Sequence, residues 1–126
     1  MTADHEAMAP FCERYHHAVE LVGRRWTGVI VRAMLSGGVR FTDIAGMVPG
    51  LSDRLLSERL KELEAEGMVA RTVFPETPVR IEYRLTEKGL ALAPVVDALA
   101  YWAESWLPIP EDAHAPEDVL AAEAAR

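Results

Sequence analysis

The chain has 126 residues, half of which are hydrophobic, and a formal net charge of −7. A chain of this length fits one domain with a modest core. No uncharged apolar run approaches the ~20 residues of a membrane span, and the acidic start lacks the basic and apolar regions of a secretory signal. One cysteine cannot form an internal disulfide, which fits a reducing compartment. We therefore expect a cytoplasmic protein that does not bind a membrane.

The acidic residues are concentrated at the two ends of the chain. Residues 1–20 carry one basic residue against four acidic ones, and residues 89–126 carry one against seven. Residues 21–88, in contrast, carry eleven Lys and Arg against nine Asp and Glu. Binding to DNA depends on the local field at the phosphates more than on the total charge. The acidic total therefore does not exclude DNA as a partner.

The first half of the chain predicts a leader followed by three helices. Residues 1–10 are expected to form a mobile leader. Apolar residues at helical spacing predict helices over residues 11–22 and 26–35. The buried stripe expected on the second helix consists of Trp26, Val29, Ile30, Ala33 and Met34. Thr42 is the expected N-cap of a short third helix, which ends at the Val48-Pro49-Gly50 turn.

The fourth predicted helix lies within residues 51–67. Ser52 is a good N-cap, and Gly67 is a good C-terminal stop. Its apolar face is formed by Leu56, Leu60 and Leu63, which recur at spacings of four and three. A short helix, a tight turn and this longer helix form the order of a helix-turn-helix.

Two strands are predicted after this helix, over residues 68–74 and 79–86, with turn residues Pro75 to Pro78 between them. A helix-turn-helix followed by a short hairpin is the order of a winged helix-turn-helix. The predicted fold is therefore mainly α with a small β-hairpin wing.

The last predicted helix is capped by Thr86, reaches Trp106 and should be kinked by Pro94. Its apolar seam consists of Leu92, Val96, Leu99, Ala103 and Trp106, with Trp102 in a flanking stripe. Because one stripe is enough to seat a helix on its own domain, the surplus predicts a homodimer. We expect one winged domain over residues 11–106, dimerising through its terminal helices, and an acidic tail rich in Ala and Pro over residues 107–126.

These residues together resemble the HxlR-type winged helix-turn-helix regulators of bacteria. The resemblance is carried by Gly23-Arg24-Arg25-Trp26-Thr27, Arg40-Phe41, Gly67-Met68-Val69 and Glu82-Tyr83-Arg84-Leu85-Thr86. It implies a homodimeric transcription factor that reads an operator with a recognition helix and a wing. Two residues depart from the family pattern: Glu13 follows Cys12 where proline is common, and Arg25 replaces the usual lysine before Trp26.

The polar face of the fourth helix supplies the candidate DNA contacts, because the major groove admits one α-helix. Arg54 is the expected base contact, since its planar fork matches guanine O6 and N7. The other candidates lie on the same helix, beside the helix-turn-helix or in the wing: Ser52, Asp53, Ser57, Lys61, Arg40, Arg24, Arg25 and Arg80. Arg80 is expected along the flanking minor groove or its phosphates.

Each of these interpretations has a structural alternative. The polar face is equally typical of a solvated amphipathic helix, and Arg25 could stack near Trp26. For Arg84, an ion pair across the hairpin with Glu82 or Glu76 is favoured over a DNA contact. A pocket lined by Trp26, Trp102 and Trp106 between the terminal helices could hold an aromatic effector.

Cys12 is a second candidate site, because it lies at the expected start of the first helix with Arg14 and His16 nearby. The family resemblance implies that such a cysteine senses oxidants or electrophiles. The alternative is an inert, half-buried cysteine. Cys12 and His16 also have the spacing of a zinc pair or of a nucleophile and its base, but no second ligand pair or orienting residue accompanies them. We therefore expect no metal, no cofactor and no enzymatic activity.

These features predict a repressor that reads a palindromic operator as a homodimer and is released by modification of Cys12 or by a small ligand. The alternative function is a degenerate winged-helix module that mediates dimeric protein contacts without binding DNA. The acidic total charge of the chain favours this alternative. An enzyme that uses Cys12 with His16 is the third and weakest interpretation.

Overall fold

The computed structural model describes residues 12–109. In this range the chain forms α1 (Glu13–Gly23), α2 (Thr27–Leu35), α3 (Phe41–Met47), α4 (Asp53–Ala65), β1 (Val69–Phe74), β2 (Arg80–Leu85), α5 (Glu87–Leu90) and α6 (Ala93–Trp106). The mainly α architecture with one antiparallel hairpin is thus confirmed. The predicted leader, Phe11 and most of the predicted tail lie outside the described residues.

The core forms where α2, α3 and α4 meet the base of the hairpin. Its most deeply buried side chains are Ile30, Val31, Ile44, Leu56, Leu60 and Leu63. The predicted apolar face of α4 is therefore confirmed. On α2 the prediction was partly wrong, because Val31 is buried and Val29 is 47% exposed. Since α2 contacts α1, α3 and α6, its buried face extends further round the helix than one predicted stripe.

Both ends of α4 are fixed by local hydrogen bonds. At the start, the Leu55 N–H donates to Ser52 Oγ over 3.1 Å, as the predicted N-cap requires. At the end, the Met68 N–H donates to the Leu63 carbonyl over 2.9 Å, while Gly67 adopts a φ of 76°. This is a Schellman motif, in which glycine supplies the left-handed conformation. The predicted limits of α4 are confirmed.

The predicted cap of α3 was wrong. Arg40, not Thr42, is the N-cap residue, and its N–H donates to Asp43 Oδ2 over 3.3 Å. The reason lies in the preceding residue, because the Val39 carbonyl accepts a hydrogen bond from the Tyr83 N–H over 2.8 Å. This contact holds the chain extended beside β2 as far as Val39, and the helix begins immediately afterwards.

The hairpin β1–β2, which we call the wing, pairs Val69 with Leu85 and Phe74 with Arg80 at its two ends. β1 begins one residue later than predicted, and β2 is one residue shorter at each end. Because side chains alternate along a strand, Arg71 and Tyr83 share one face. The opposite face carries Phe74 of β1 together with Arg80, Glu82 and Arg84 of β2. We call this second face the outer face of the wing, and the face with Arg71 and Tyr83 its inner face.

The predicted single last helix is divided into α5 and α6. Thr86 caps α5 as predicted, accepting a hydrogen bond from the Gly89 N–H over 3.2 Å. The break follows at Ala91 and Leu92, and Pro94 lies in the first turn of α6. Proline has no N–H for the Leu90 carbonyl, and its ring would clash with that carbonyl. The result is an interruption rather than the predicted kink. None of the helices in residues 12–109 is long and apolar enough to cross a membrane.

Candidate nucleic-acid interface

The outer face of α4 brings together the candidate DNA contacts of that helix. The Arg54 side chain is 89% exposed, and Lys61, Ser52 and Asp53 are also exposed, whereas Ser57 is half-buried. Leu56, Leu60 and Leu63 on the other side of the helix fix this orientation, since each of the three is buried in the core. A helix that is held in this way presents a polar face of hydrogen-bond donors and a positively charged arginine fork to the solvent.

The acidic residues of α4 are paired in two different ways. Glu58 lies 3.4 Å from Arg54 in an exposed i,i+4 pair, which contributes little stability and can exchange for another partner. Glu62 pairs instead with Arg59 at 3.2 Å and with Arg24 at 3.2 Å.

Arg59 is a structural residue that the sequence interpretation missed. Its side chain is only 9% exposed, and Nε donates to the Arg25 carbonyl over 2.9 Å. Its Nη1 donates to Glu62 Oε1, so the charge is compensated. The spacing of residue 59 from Leu56 and Leu63, three and four positions, was a signal of burial. Arg59 ties α4 to the loop between α1 and α2.

The arginines around the helix-turn-helix are placed differently from one another. Arg24 is half-exposed and paired with Glu62. The Arg25 guanidinium lies 5.4 Å from the centroid of the Trp26 ring, a cation–π arrangement that corresponds to its structural alternative. Arg40 is exposed at the start of α3. A phosphate contact stays a prediction for all three residues.

Arg80 is held on the outer face of the wing by three neighbours. It forms ion pairs with Glu76 at 3.1 Å and with Glu82, and its guanidinium lies 3.8 Å from the centroid of the Phe74 ring. Arg84 lies 3.0 Å from Glu82. The favoured ion pair of Arg84 is thus present, but it runs along β2 and not across the hairpin. A DNA contact by Arg80 stays a prediction and would have to compete with two carboxylates.

Both carboxylates of this cluster are ionised at neutral pH. The hydrogen bond and charge of Arg80 hold the pKa of Glu76 below its usual range. For Glu82, burial alone would raise the pKa, but the hydrogen bonds and charges of Arg84 and Arg80 outweigh it and lower the pKa. The outer face of the wing therefore carries two arginines and two neutralising carboxylates.

Cys12 occupies the N-cap position of α1 with extended backbone and is half-buried. Its carbonyl accepts a hydrogen bond from the His16 N–H over 2.8 Å. The His16 ring, however, lies 2.7 Å from the Glu20 carboxylate. Within residues 12–109 no group of three or more His, Cys, Asp or Glu is arranged to hold a metal ion.

The candidate dimer seam is divided between the core and the surface. Val96 is 9% exposed and belongs to the core of its own domain, and Leu92 packs against that core. Ala103 is half-buried. The exposed part of the seam lies towards the end of α6, where Leu99, Trp102 and Trp106 are 59%, 52% and 74% exposed.

Trp26, which could line an effector pocket with Trp102 and Trp106, borders a groove on the surface of the domain. Trp26 lines a groove of about 560 Å³ between α2 and the end of α3, together with Val29, Met47 and Pro49. Trp102 and Trp106 do not line this groove. Its walls come from α2, the end of α3 and the turn after it, and not from the terminal helices.

Comparison with known proteins identifies this arrangement. A family model described as an HxlR-like helix-turn-helix matches residues 21–111. YvaP of Bacillus subtilis (strain 168), an uncharacterised HTH-type transcriptional regulator, is 53% identical over 96 residues, which cover 76% of this chain and 89% of YvaP. The HTH-type transcriptional regulator YodB of the same strain is 43% identical over 95 residues, or 75% of this chain and 85% of YodB.

Solved structures of such regulators have the same fold. Reduced YodB from B. subtilis superposes with a TM-score of 0.69 at 42% identity, covering 77% of this chain and 95% of YodB. The quinone-bound form of YodB superposes with a TM-score of 0.66 at 38% identity, covering 76% of this chain and 100% of YodB. The redox regulator HypR in its oxidised form superposes with a TM-score of 0.70 at 33% identity, covering 76% of this chain and 99% of HypR. These relatives are regulators and not enzymes, in agreement with the prediction. This chain, with its leucine-backed helix-turn-helix and its wing, therefore belongs to the HxlR-like helix-turn-helix family of transcriptional regulators.

Proposed function

We propose that this protein is a cytoplasmic, DNA-binding repressor that reads a palindromic operator as a homodimer. The observation that carries the proposal is the outward face of α4, where Arg54 and Lys61 project from a helix whose leucines are buried. A rigidly backed helix of this kind can insert its N-terminal half into the major groove. Arg54 then reads a guanine, and Ser52 and Ser57 contact neighbouring bases or phosphates. Asp53, which can only accept hydrogen bonds, would face a base amino group such as cytosine N4.

The proposed dimer forms through the two terminal helices of the domain spanning residues 11–106. The exposed end of the seam on α6 supports this assignment, as do Tyr15 and Val19 of α1, which are 70% and 50% exposed. Burying these side chains between two protomers removes apolar surface from water. A two-fold axis through this interface would place two α4 helices in successive major grooves, about 34 Å apart.

The proposed trigger is modification of Cys12 or binding of a small ligand. The existence of reduced and quinone-bound forms of YodB supports a thiol trigger in this family. With a quinone, the Cys12 thiolate would form a carbon–sulfur bond to a ring carbon while a C=C π bond of the ring breaks. The electron pair moves to the quinone oxygen, and proton uptake gives a hydroquinone thioether. An oxidant would instead accept two electrons from two thiols, which lose two protons and form a disulfide between protomers.

A footprint on the DNA that flanks the protein's own coding region tests this proposal. Protection of two half-sites one helical turn apart is expected, and it should disappear on treatment with benzoquinone or hydrogen peroxide. Affinity should fall with salt with a log–log slope near −0.9 for each phosphate contacted. An absence of binding to any promoter fragment would instead favour the alternative module without DNA binding. That alternative is supported by the neutralised arginines on the outer face of the wing.

A further inference from the structure

A polar cleft lies between α4 and the inner face of the wing. Its volume is about 290 Å³, and it is lined by Ser57, Leu60, Lys61, Glu64, Arg71 and Tyr83. This volume is at the lower limit of the roughly 300–1,000 Å³ of sites for drug-sized ligands. The cleft therefore suits a small, charged group better than an aromatic effector.

The register of the hairpin places Arg71 in this cleft. Arg71 is paired with Tyr83, and directly opposed residues of two antiparallel strands project on the same side of the sheet. That side carries Val69 and Leu85 at its base, which pack in or against the core. The same face that anchors the wing to the domain thus brings an arginine and a phenol hydroxyl next to the C-terminal half of α4.

The cations of this cleft are unneutralised, in contrast to those on the outer face of the wing. Within residues 12–109 no carboxylate lies at ion-pair distance from Lys61 or Arg71. Glu64 is the single acidic residue among those lining the cleft. Two positive charges against one negative charge leave a net attraction for an anion. The hydroxyls of Ser57 and Tyr83 add two hydrogen-bond donors.

We propose that this cleft binds one phosphodiester group of duplex DNA, with Lys61 and Arg71 supplying the charge and Ser57 and Tyr83 the neutral donors. This inference rests on the proposed DNA-binding function and deepens it. When the N-terminal half of α4 enters the major groove, the C-terminal half and the wing lie over the sugar–phosphate backbone, where proteins place contacts that fix their register. Arg71, rather than Arg80, is then the arginine by which the wing holds the backbone.

Salt-dependent binding of Arg71→Ala and Lys61→Ala tests this site. A backbone contact is independent of sequence, so any 24-base-pair duplex at low salt can serve as the probe. For each variant we expect an affinity loss of roughly tenfold or more, as for a lost charged hydrogen bond, and a log–log salt slope reduced by up to ~0.9, since both cations contact the same phosphate. Arg84→Ala is the matched control, because it removes a wing arginine that is already paired with Glu82. It should leave the slope unchanged.

A duplex with single uncharged methylphosphonate linkages locates the contact. For the wild type, one neutral linkage should weaken binding by more than Arg71→Ala does, because Lys61 loses its charged partner as well. The same linkage should weaken binding of the Arg71→Ala variant by a smaller factor than it weakens binding of the wild type. Tyr83→Phe, which removes only the hydroxyl, should weaken binding by a smaller factor. Equal slopes for the wild type, Arg71→Ala and Arg84→Ala would overturn the inference while leaving DNA binding intact.

Two other outcomes also overturn it. If the wild type binds no duplex at any salt concentration, the proposed function fails and the cleft has no DNA to hold. If inorganic phosphate alone shifts the amide resonances of Ser57 and Tyr83 at micromolar concentration and DNA affinity is equal in wild type and Arg71→Ala, the cleft is a site for a free anion. The expected result is saturation by inorganic phosphate only at millimolar concentration or above.

Discussion

Arg59 of α4 and Arg25 of the loop before α2 are joined by a hydrogen bond of 2.9 Å from Nε to the main-chain carbonyl. Glu62 accepts from the same arginine and also pairs with Arg24. On the same side of α1 as Arg24, the His17 ring lies 3.4 Å from Glu66. The helix that starts at Cys12 and the helix that carries Arg54 are thus linked by polar contacts.

The first prediction concerns the Arg59 contact. Arg59→Ala should lower the free energy of unfolding by about 1–3 kcal/mol, because it leaves the Arg25 carbonyl and one side of Glu62 without their donor. Urea denaturation measures this change. Arg32→Ala, an exposed arginine on α2, is the matched control and should change stability by less than about 0.5 kcal/mol. Equal effects of the two substitutions would show that the buried contact contributes no stability.

The second prediction concerns base recognition by α4. Arg54→Ala should weaken specific binding by ~1–3 kcal/mol and blur the preference at one base pair. Arg54→Lys keeps the charge but loses the planar fork, so it should retain non-specific affinity and lose the same preference. Binding to a set of operators with single substitutions measures both effects. An unchanged preference in Arg54→Ala would remove this residue from the readout.

The limits of α4 could be predicted because they are set by nearby residues. Ser52 bonds to an N–H three residues away, and Gly67 closes the helix within one turn. The cap of α3 could not be predicted in the same way, because it depends on the Val39–Tyr83 hydrogen bond. That bond joins segments more than forty residues apart, and no local pattern encodes it.

In the wing, too, only part of the candidate site could be predicted from the sequence. Alternation along β2 places Arg80, Glu82 and Arg84 on one face, where Glu82 forms ion pairs with both arginines. Which arginine of the wing meets α4, however, depends on the register of β1 against β2. The position of α5 likewise depends on tertiary packing, because Gly89 lies so close to the Met68 carbonyl that a Cβ at this residue would collide with it.

The third prediction concerns the acid sensitivity of the wing. Since the pKa values of Glu76 and Glu82 are lowered in the folded protein, the stability they supply is complete above the unfolded glutamate pKa of about 4.3. It is lost as the pH falls through the lower folded values. Urea denaturation should therefore give a higher free energy of unfolding for the wild type than for the Glu76→Gln/Glu82→Gln variant at pH 7. This difference should shrink below about pH 4.

The exposed Glu104 of α6 provides the control for this measurement. Glu104→Gln should follow the wild type at every pH, because the residue has no ion-pair partner within the described part of the chain. A stability difference between the wild type and the double variant that is independent of pH would contradict the proposed role of the two carboxylates.

The fourth prediction concerns the dimer seam on α6. Leu99 is 59% exposed in one protomer, so Leu99→Glu should cost the isolated domain little stability. In a dimer, the same substitution would bury an unpaired charge near the two-fold axis. Sedimentation equilibrium should show a folded monomer for Leu99→Glu and a dimer for Glu104→Ala, an exposed polar position on the same helix. A dimer of Leu99→Glu with unchanged affinity would place the interface elsewhere.

The fifth prediction separates the sensing role of Cys12 from a structural one. Cys12→Ser keeps the N-cap geometry of α1, because serine is among the preferred N-cap residues, and it removes the nucleophilic sulfur. The variant should bind the operator as tightly as the wild type and should stay bound after treatment with benzoquinone. Mass spectrometry should show one adduct per protomer in the wild type and none in the variant. Since Cys12 is the sole cysteine in the chain, release of the Cys12→Ser variant by the quinone would assign the response to a non-thiol site, and Cys12 would then be structural.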